Sequence, residues 1–445
     1  MNLNSVPRIK VGLMTGAKSA RINLSGGFIM SDGQRVPDGN YTASLDDGAV
    51  ALEGPAQARA VTVALSPINF DHGRFTVHDI TIGIDFHWQR KEAQQFQGAL
   101  LIAPGPAGLA IINELPLEAY LVSVISSEMS ATCPPEALRA HSIISRSWLL
   151  AQLNKPARQA DQITIQSDRV EIIKWYDREN HAGFDVCADD HCQRYQGISK
   201  AFSEAAFDAV KDTRGQVLVF EGEVCDARYS KSCGGMTEVY GAAWEDKTVP
   251  YLAAVYDGEG DLREYDLPLT DEANAERWIR SKPAAYCNTD SAELLARILP
   301  GFDQETNDFY RWVVEYSEAE LREILLARAG LDLGRITALE PVLRGESGRV
   351  VKLKITGERG AITIGKELEI RRALSRSHLY SSAFVVEADK DEATGQVERF
   401  RLRGAGWGHG VGLCQIGAAV MAERERSHTE ILAHYFRGAS LKTLY

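Results

Sequence analysis

"ELPLEAYLVSVISSEMSATCPPEALRAHSIISRSWLLAQL", residues 114–153, holds two helical patterns separated by a Pro-Pro break. Pro116 suits the first turn of a helix, and Glu118 then falls where the helix dipole favours an anion. Leu117, Leu121, Val124 and Glu128 follow the i, i+4, i+7, i+11 spacing of one helical face. The spacing therefore aims Glu128 the way the apolar face points, at the helix C-terminus. There the dipole and partial burial both disfavour a negative charge. A carboxyl kept in its acid form can serve as a general acid. The plain alternative is an ion pair with Arg139 or Arg146, or a solvated helix end, because most helical glutamates are wet.

The second helix starts at Pro134 or Pro135, with Glu136 in its first turn and Ala137, Leu138, Ile144, Trp148 and Leu149 as core candidates. His141 and Arg146 lie in this otherwise apolar helix. His141 reads as a satisfied core or rim histidine, and Arg146 as a group able to orient Glu128 or a substrate.

On the N-terminal side, residues 8–112 hold short β-like runs such as "RIKVGLM", "ARINLSGGFIM" and "RFTVHDITIGIDF", divided by Gly, Pro, Asp and Asn. They imply an antiparallel β unit. On the C-terminal side, residues 154–255 are mixed. Helices are expected in 270–300 and 318–330, and strands return over 335–403, "AITIGKELEI" (361–370) among them. A Gly-rich loop and two helices close the chain, the last with a capping box at Ser427 and Glu430. This order implies an α+β class and not a regular βαβ alternation. The expected division is a β-rich unit over 1–112, a helical segment with a metal loop over 113–255, a second α+β lobe over 256–400, and a closing segment over 401–445 that completes the helical one.

The 445 residues are 44% hydrophobic and 25% charged, enough for two or three domains and a sizeable core. The net charge of −12 argues against a nucleic-acid backbone as the main partner. No run approaches the roughly 20 apolar residues of a membrane span. "MNLNSVPRIKVGLMTG" lacks the apolar stretch of a signal peptide, so a soluble chain with no obvious export route is expected. The seven cysteines are too sparse for a disulfide framework.

Two of them have histidine company. "NHAGFDVCADDHCQRYQG" places His181, Cys187, His191 and Cys192 in the pattern H-x5-C-x3-H-C. Two imidazoles and two thiols match the tetrahedral preference of zinc, and four protein ligands would close its shell and make it structural. Asp185, Asp189 and Asp190 are candidates for supporting the ligands. A Cys187–Cys192 disulfide with surface histidines is the competing reading. A zinc hydrolase would need an open metal position, which four ligands do not leave.

Two loops are rich in glycine. "YSKSCGGMTE" (229–238) contains Ser232. "GAGWGHGVGLCQIGAAVMAE" (404–423) alternates Gly404, Gly406, Gly408, Gly410 and Gly412 with Trp407 and His409. Neither is a phosphate-binding loop. Alternating glycines let the backbone approach a ligand or another strand closely. Trp407 offers a flat face for a sugar ring, and His409 and Gln415 offer polar edges. A tight turn feeding a packed helix over 411–425 is the bland alternative.

In order along the chain, "LPLEAYLVSVISSEM…PPEALRAHSIISRSWLL", "DVCADDHCQRYQG", "YSKSCGGMTE", "YLAAVYD" and "GWGHGVGLCQIGA" resemble the SpoIID/LytB family of stage II sporulation protein D-type peptidoglycan enzymes. The resemblance implies a lytic transglycosylase acting on bacterial peptidoglycan glycan strands. It also implies a structural zinc on His181, Cys187, His191 and Cys192. The family's catalytic glutamate falls on Glu128. From the residues themselves, Arg146 is the candidate to position that acid, and Ser232, Trp407, His409 and Gln415 are the candidates to line a glycan groove. Other members are described as enhancers of cell-wall amidases, so a non-catalytic, glycan-binding enhancer with an amidase partner is the competing function. The family implies a cell-envelope location, which the missing leader does not support. The chain departs from the pattern at His141, where many relatives have Gln, at Ser145, Ser147 and Trp148 around Arg146, and at Cys414, where Ser is common.

Overall fold

The computed structural model describes residues 6–83, 89–154, 165–166, 169–176, 181, 183–189, 191–198, 203–260, 262, 265, 267–301 and 306–445. Strand Arg8–Ala17 buries Ile9, Val11 and Leu13 while Arg8 and Lys10 face water, the two-residue alternation of a half-buried strand. It pairs antiparallel with Gly108–Pro116, which pairs in turn with Ala99–Gly105 in a seven-stranded sheet. A six-stranded antiparallel sheet includes Ser19–Ser25, Gly39–Asp46, Arg74–Ile82 and Arg90–Phe96. The β-rich beginning is therefore present, and the class is α+β.

Strand Gly108–Pro116 runs directly into helix α1, Leu117–Glu128, and the Pro-Pro break precedes helix α2, Pro135–Asn154. Pro116 caps α1 in an extended conformation instead of forming its first turn. Ile9, Leu65 and Phe75 of the sheets, Leu117 and Leu121 of α1, Ile144 of α2 and Phe436 near the C-terminus belong to one continuous core. A stack of Phe75, Phe96, Tyr195 and Tyr120 crosses it, with neighbouring rings 5.4, 5.8 and 5.2 Å apart. The division expected at 112/113 thus falls inside a strand whose two ends feed the same core.

A second core holds Trp312, Leu321, Leu353, Ile364 and Phe400. Helix Glu318–Ala329 has a Ser317/Glu320 capping box and ends on Gly330 at φ 68°. It packs mainly on strands Arg311–Ser317 and Val397–Ala405 and reaches Ile336–Arg344 of a second sheet, which continues through Val350–Gly357 and Gly360–Gly365 and to which Arg169–Ile173 adds in parallel. "AITIGKELEI" is not one strand: it changes to helix Glu367–Ala373 after Gly365. Glu367 and Glu369 in the first turn and Arg371 and Arg372 in the last suit the helix dipole, a signal that the alternation of Ile362 and Ile364 masks. Strand Val397–Ala405 leads out of this lobe into the Gly-rich loop. The two closing helices are Gln415–Glu423 and His428–Tyr435, the second with its capping box at Ser427 and Glu430. A final strand, Ser440–Thr443, then pairs with Gln216–Phe220. Among the described residues no helix is long and apolar enough to cross a membrane.

Candidate functional site

Glu128 is the last residue of α1 and is 8% exposed. Its Oε1 accepts hydrogen bonds from the Arg194 amide at 3.2 Å and the Tyr229 hydroxyl at 3.4 Å. Both donors are neutral. The ion-pair alternatives do not occur, because Arg139 pairs with Glu136 and Asp212. The helper role expected for Arg146 is corrected by its geometry. Its guanidinium, with no exposed surface, grips Glu118 at 2.7 and 3.0 Å and donates to the Gln216 carbonyl at 3.0 Å. It is committed at the opposite end of α1 from Glu128.

His141 is almost fully buried. Its Nδ1 lies 3.1 Å from the Ser145 hydroxyl and its Nε2 lies 2.9 Å from Gln415 Nε2, while its ring meets the Tyr229 ring edge-on at 4.5 Å. Burial pushes its pKa down to about 4, against an upward pull from Glu128, so the imidazole is neutral near pH 7. A satisfied histidine was the expectation, and its place behind Tyr229 and Gln415 makes it part of the wall supporting the acid.

That wall belongs to a cleft of about 1100 Å³. Glu128, Tyr229, Trp407, His409 and Gln415 line it, and Arg371 and Tyr380 of the second lobe face it too. Trp407 stacks on Tyr380 at 4.3 Å and leans on Phe309 at 4.8 Å. His409 accepts from the Val411 amide at 3.0 Å, and burial followed by Arg228, Arg349 and Arg371 drives its pKa well below the usual value. Ser232 is placed differently from the expectation. It is fully buried, and its backbone pairs with Trp407 in both directions at 2.7 and 3.1 Å, while its neighbours Ser230 and Lys231 reach the wall. Its contribution is to hold Trp407, not to touch a ligand.

The alternating glycines have a packing reason. Gly410 adopts φ 75°, and a Cβ there would stand 2.4 Å from the Arg349 guanidinium carbon. Arg349 threads beneath the loop and donates to the carbonyls of Cys233 and Gly408 and to the Ser347 hydroxyl. Neither Arg349 nor Tyr380 was suggested by motif spacing, since both come from the second lobe. Tyr229 was within reach, being the first residue of the quoted "YSKSCGGMTE".

His181, Cys187, His191 and Cys192 converge beside the same cleft, with one donor atom from each within 4.8 Å of all the others. His181 Nε2 is 3.3 Å from Cys192 Sγ, and His191 Nδ1 is 3.6 and 3.8 Å from the sulfurs of Cys192 and Cys187. Ligand bonds of about 2.3 Å to sulfur and 2.0–2.1 Å to nitrogen give tetrahedral edges of about 3.4–3.8 Å, so the donor set fits zinc. Both cysteines are free thiols, so no disulfide joins them. The Cys192 hydrogen bond, with His181 and His191 beside it, holds the Cys187 thiol far below the ordinary range against the opposing effect of burial. The loop docks as a parallel addition to strand Arg8–Ala17, through Val11 with Val186 and Gly12 with Cys187. Asp185 accepts from the Lys10 amide at 2.8 Å instead of orienting a ligand, and Asp190 lies outside the described residues. Two residues beyond Cys192, the same loop presents the Arg194 amide to Glu128.

These features define an α+β protein with a buried carboxyl at a helix end, an aromatic-walled cleft and a loop on which four His and Cys donors converge. Residues 106–220 match the stage II sporulation protein (SpoIID) family, and residues 238–412 match a domain of unknown function. It is similar to the amidase enhancer of Bacillus subtilis (strain 168), 24% identical over 72% of this chain. It is likewise 24% identical to stage II sporulation protein D of Bacillus amyloliquefaciens, over 74% of this chain and 75% of that one. An uncharacterized protein of Brachyspira hyodysenteriae is 26% identical over 78% of this chain and 72% of its own length. The match spans 40% of the amidase enhancer's length.

Proposed function

We propose that the protein is a peptidoglycan lytic transglycosylase that cleaves MurNAc–GlcNAc bonds and leaves 1,6-anhydro-MurNAc ends, with its work done in the cell envelope. The observation that carries this reading is the placement of Glu128, an acid in a cleft wall whose hydrogen-bond partners are both neutral. In its acid form Glu128 gives its proton to the glycosidic oxygen, and the GlcNAc side leaves as an alcohol. Positive charge develops at C1 of MurNAc. The 6-hydroxyl attacks C1 and returns its proton to the Glu128 carboxylate, closing the anhydro ring. No water is consumed, so one carboxyl suffices where hydrolases commonly use two. Glu367, another acid in the wall, is paired with Arg371 at 3.2 Å. The stacked Trp407 and Tyr380 supply an aromatic surface for sugar rings, with His409 and Gln415 as polar edges. His181, Cys187, His191 and Cys192 would hold a zinc ion whose closed shell supplies rigidity to the loop that carries the Arg194 amide.

Mass spectrometry of products from purified glycan strands stripped of stem peptides tests this directly. Anhydro-MurNAc ends are expected, and reducing ends or intact strands would overturn the reading. The similarity to the Bacillus subtilis amidase enhancer favours a second reading: a glycan-binding partner of a cell-wall amidase that makes no cut itself. It predicts strand binding and a faster amidase, with no anhydro products while Glu128 is intact. For the metal, a chelator is expected to lower the melting temperature, because the ligation energy of a structural zinc is folding energy. An unchanged melting curve in a protein shown to have lost its metal would remove the structural role.

A further inference from the structure

Four buried groups outside the cleft meet at one point. The side chains of Cys233, Asp257, Cys287 and Cys414 are each at most 2% exposed. One donor atom from each lies within 4.8 Å of all the others. We propose that these three cysteines and one aspartate form a second metal site, closed and structural, for a single divalent cation of the zinc class.

The geometry suits one ion better than sulfur–sulfur chemistry. The sulfurs of Cys233 and Cys287 are 3.7 Å apart. A tetrahedral ion with bonds of about 2.3 Å to sulfur separates two thiolates by about 3.8 Å. A disulfide needs about 2.05 Å. The remaining contacts resemble the outer support that metal ligands receive. Cys414 Sγ accepts from the Cys233 amide at 3.3 Å and the Gly417 amide at 3.4 Å. Asp257 accepts from the Cys287 amide at 3.0 Å and the Tyr435 hydroxyl at 2.5 Å.

Charge gives the second argument. A buried carboxylate among thiols is costly unless a cation or full hydrogen bonding compensates it. Among the described residues, no Lys, Arg or His side chain is hydrogen-bonded to any of the four donor atoms. Two neighbouring guanidiniums serve the backbone: Arg349 donates to the Cys233 carbonyl at 3.1 Å and Arg311 to the Gly234 carbonyl at 3.0 Å. A divalent ion bound by soft thiolates and one carboxylate fills that role.

The site would clamp four distant segments. Cys233 follows the strand that carries Tyr229, and Cys414 caps the helix that begins with Gln415. Both neighbours line the cleft, so the ion would fix that wall from behind. This proposal does not depend on the activity of Glu128 and shares no residue with the His181–Cys192 loop.

Metal content per chain, measured by mass spectrometry on full-length protein purified from zinc-supplemented cells, tests it. About two zinc ions are expected in the wild type and about one in a Cys187→Ser/Cys192→Ser variant, because structural sites retain zinc through purification. Adding Cys287→Ser to that variant is expected to remove the remaining ion. If the added substitution prevents folding, cobalt(II) loading of the Cys187→Ser/Cys192→Ser protein reads the intact site through thiolate-to-cobalt absorption. If that variant itself fails to fold, the wild-type ratio decides, and one ion or fewer counts against the site. A metal-free, cobalt-silent Cys187→Ser/Cys192→Ser protein would overturn the proposal. So would a Cys233–Cys287 disulfide in the native chain.

Discussion

Glu118 and Glu128 sit near opposite ends of the same buried helix, and their surroundings have little in common. Glu118 receives a two-pronged grip from Arg146, the Tyr445 hydroxyl at 2.5 Å and the Gly215 amide at 3.3 Å. Glu128 receives two long hydrogen bonds from neutral donors and faces a cleft. Burial is common to both, so burial alone does not mark the acid with chemistry to do. The charge of the partners separates them: a carboxylate locked to a guanidinium holds the fold, whereas Glu128, among the described residues, is hydrogen-bonded only to neutral donors at the cleft.

The largest expected effect follows from this contrast. Glu128→Gln should lower the rate of anhydro-MurNAc release by about 10²- to 10⁴-fold, the usual contribution of a general acid. Its melting temperature should stay close to that of the wild type, because the amide can still accept from Arg194 and Tyr229. Glu118→Gln should leave the rate per folded molecule nearly unchanged. Equal losses of activity in the two variants would erase the distinction.

Stability should show the reverse order. Glu118→Ala strands the fully buried Arg146 guanidinium, and loss of one partner of a buried pair costs about 3–5 kcal/mol. Urea denaturation would measure it. Replacing both partners, as in Glu118→Leu/Arg146→Met, should cost less than Glu118→Ala alone, since no charge is then left unpaired. A cost below about 1 kcal/mol for Glu118→Ala would mean that water reaches Arg146 after all.

How much of this was legible follows from where each signal resides. The place of Glu128 on the apolar face was legible because its helical phase is a local property of twelve residues. The convergence of four His and Cys donors was legible because all of them lie between His181 and Cys192. Arg146 was assigned to the wrong end of α1: spacing along α2 says nothing about which end of another helix it meets, and Glu118 already had a sufficient explanation in the helix dipole. Ser232 was mistaken for a wall residue because a two-residue bridge decides which of Ser230, Lys231 and Ser232 faces the cleft, and that bridge forms with Trp407, far along the chain. The Cys233–Asp257–Cys287–Cys414 cluster left no trace in spacing, because four segments far apart in the chain assemble it. The closing strand Ser440–Thr443 is exposed throughout, so no apolar alternation announced it.

The smallest effect probes the wall behind Glu128. Burial lowers the His141 pKa from 6.5 to about 4, so the unfolded chain takes up that proton at a higher pH than the folded one. Stability contributed by the neutral imidazole is therefore fully present above pH 6.5 and falls as the pH drops. The loss is about 1.4 kcal/mol per pH unit, about 3 kcal/mol in all by pH 4. Subtracting the unfolding free energies of His141→Gln from those of the wild type across pH 4–8 isolates this term from other carboxylates and from His409. A flat difference would show that His141 titrates alike in both states. The same measurement sharpens the contrast between the two glutamates. Only an ionised Glu128 pulls the His141 pKa upward, so a window whose lower end moves down in Glu128→Gln would show that carboxylate charged there, and one that stays in place is the outcome a general acid requires. Glu118→Gln, at the far end of α1, should leave the window in place. A shift of equal size in both variants would mean that His141 senses the net charge of the helix and not the acid at its cleft end.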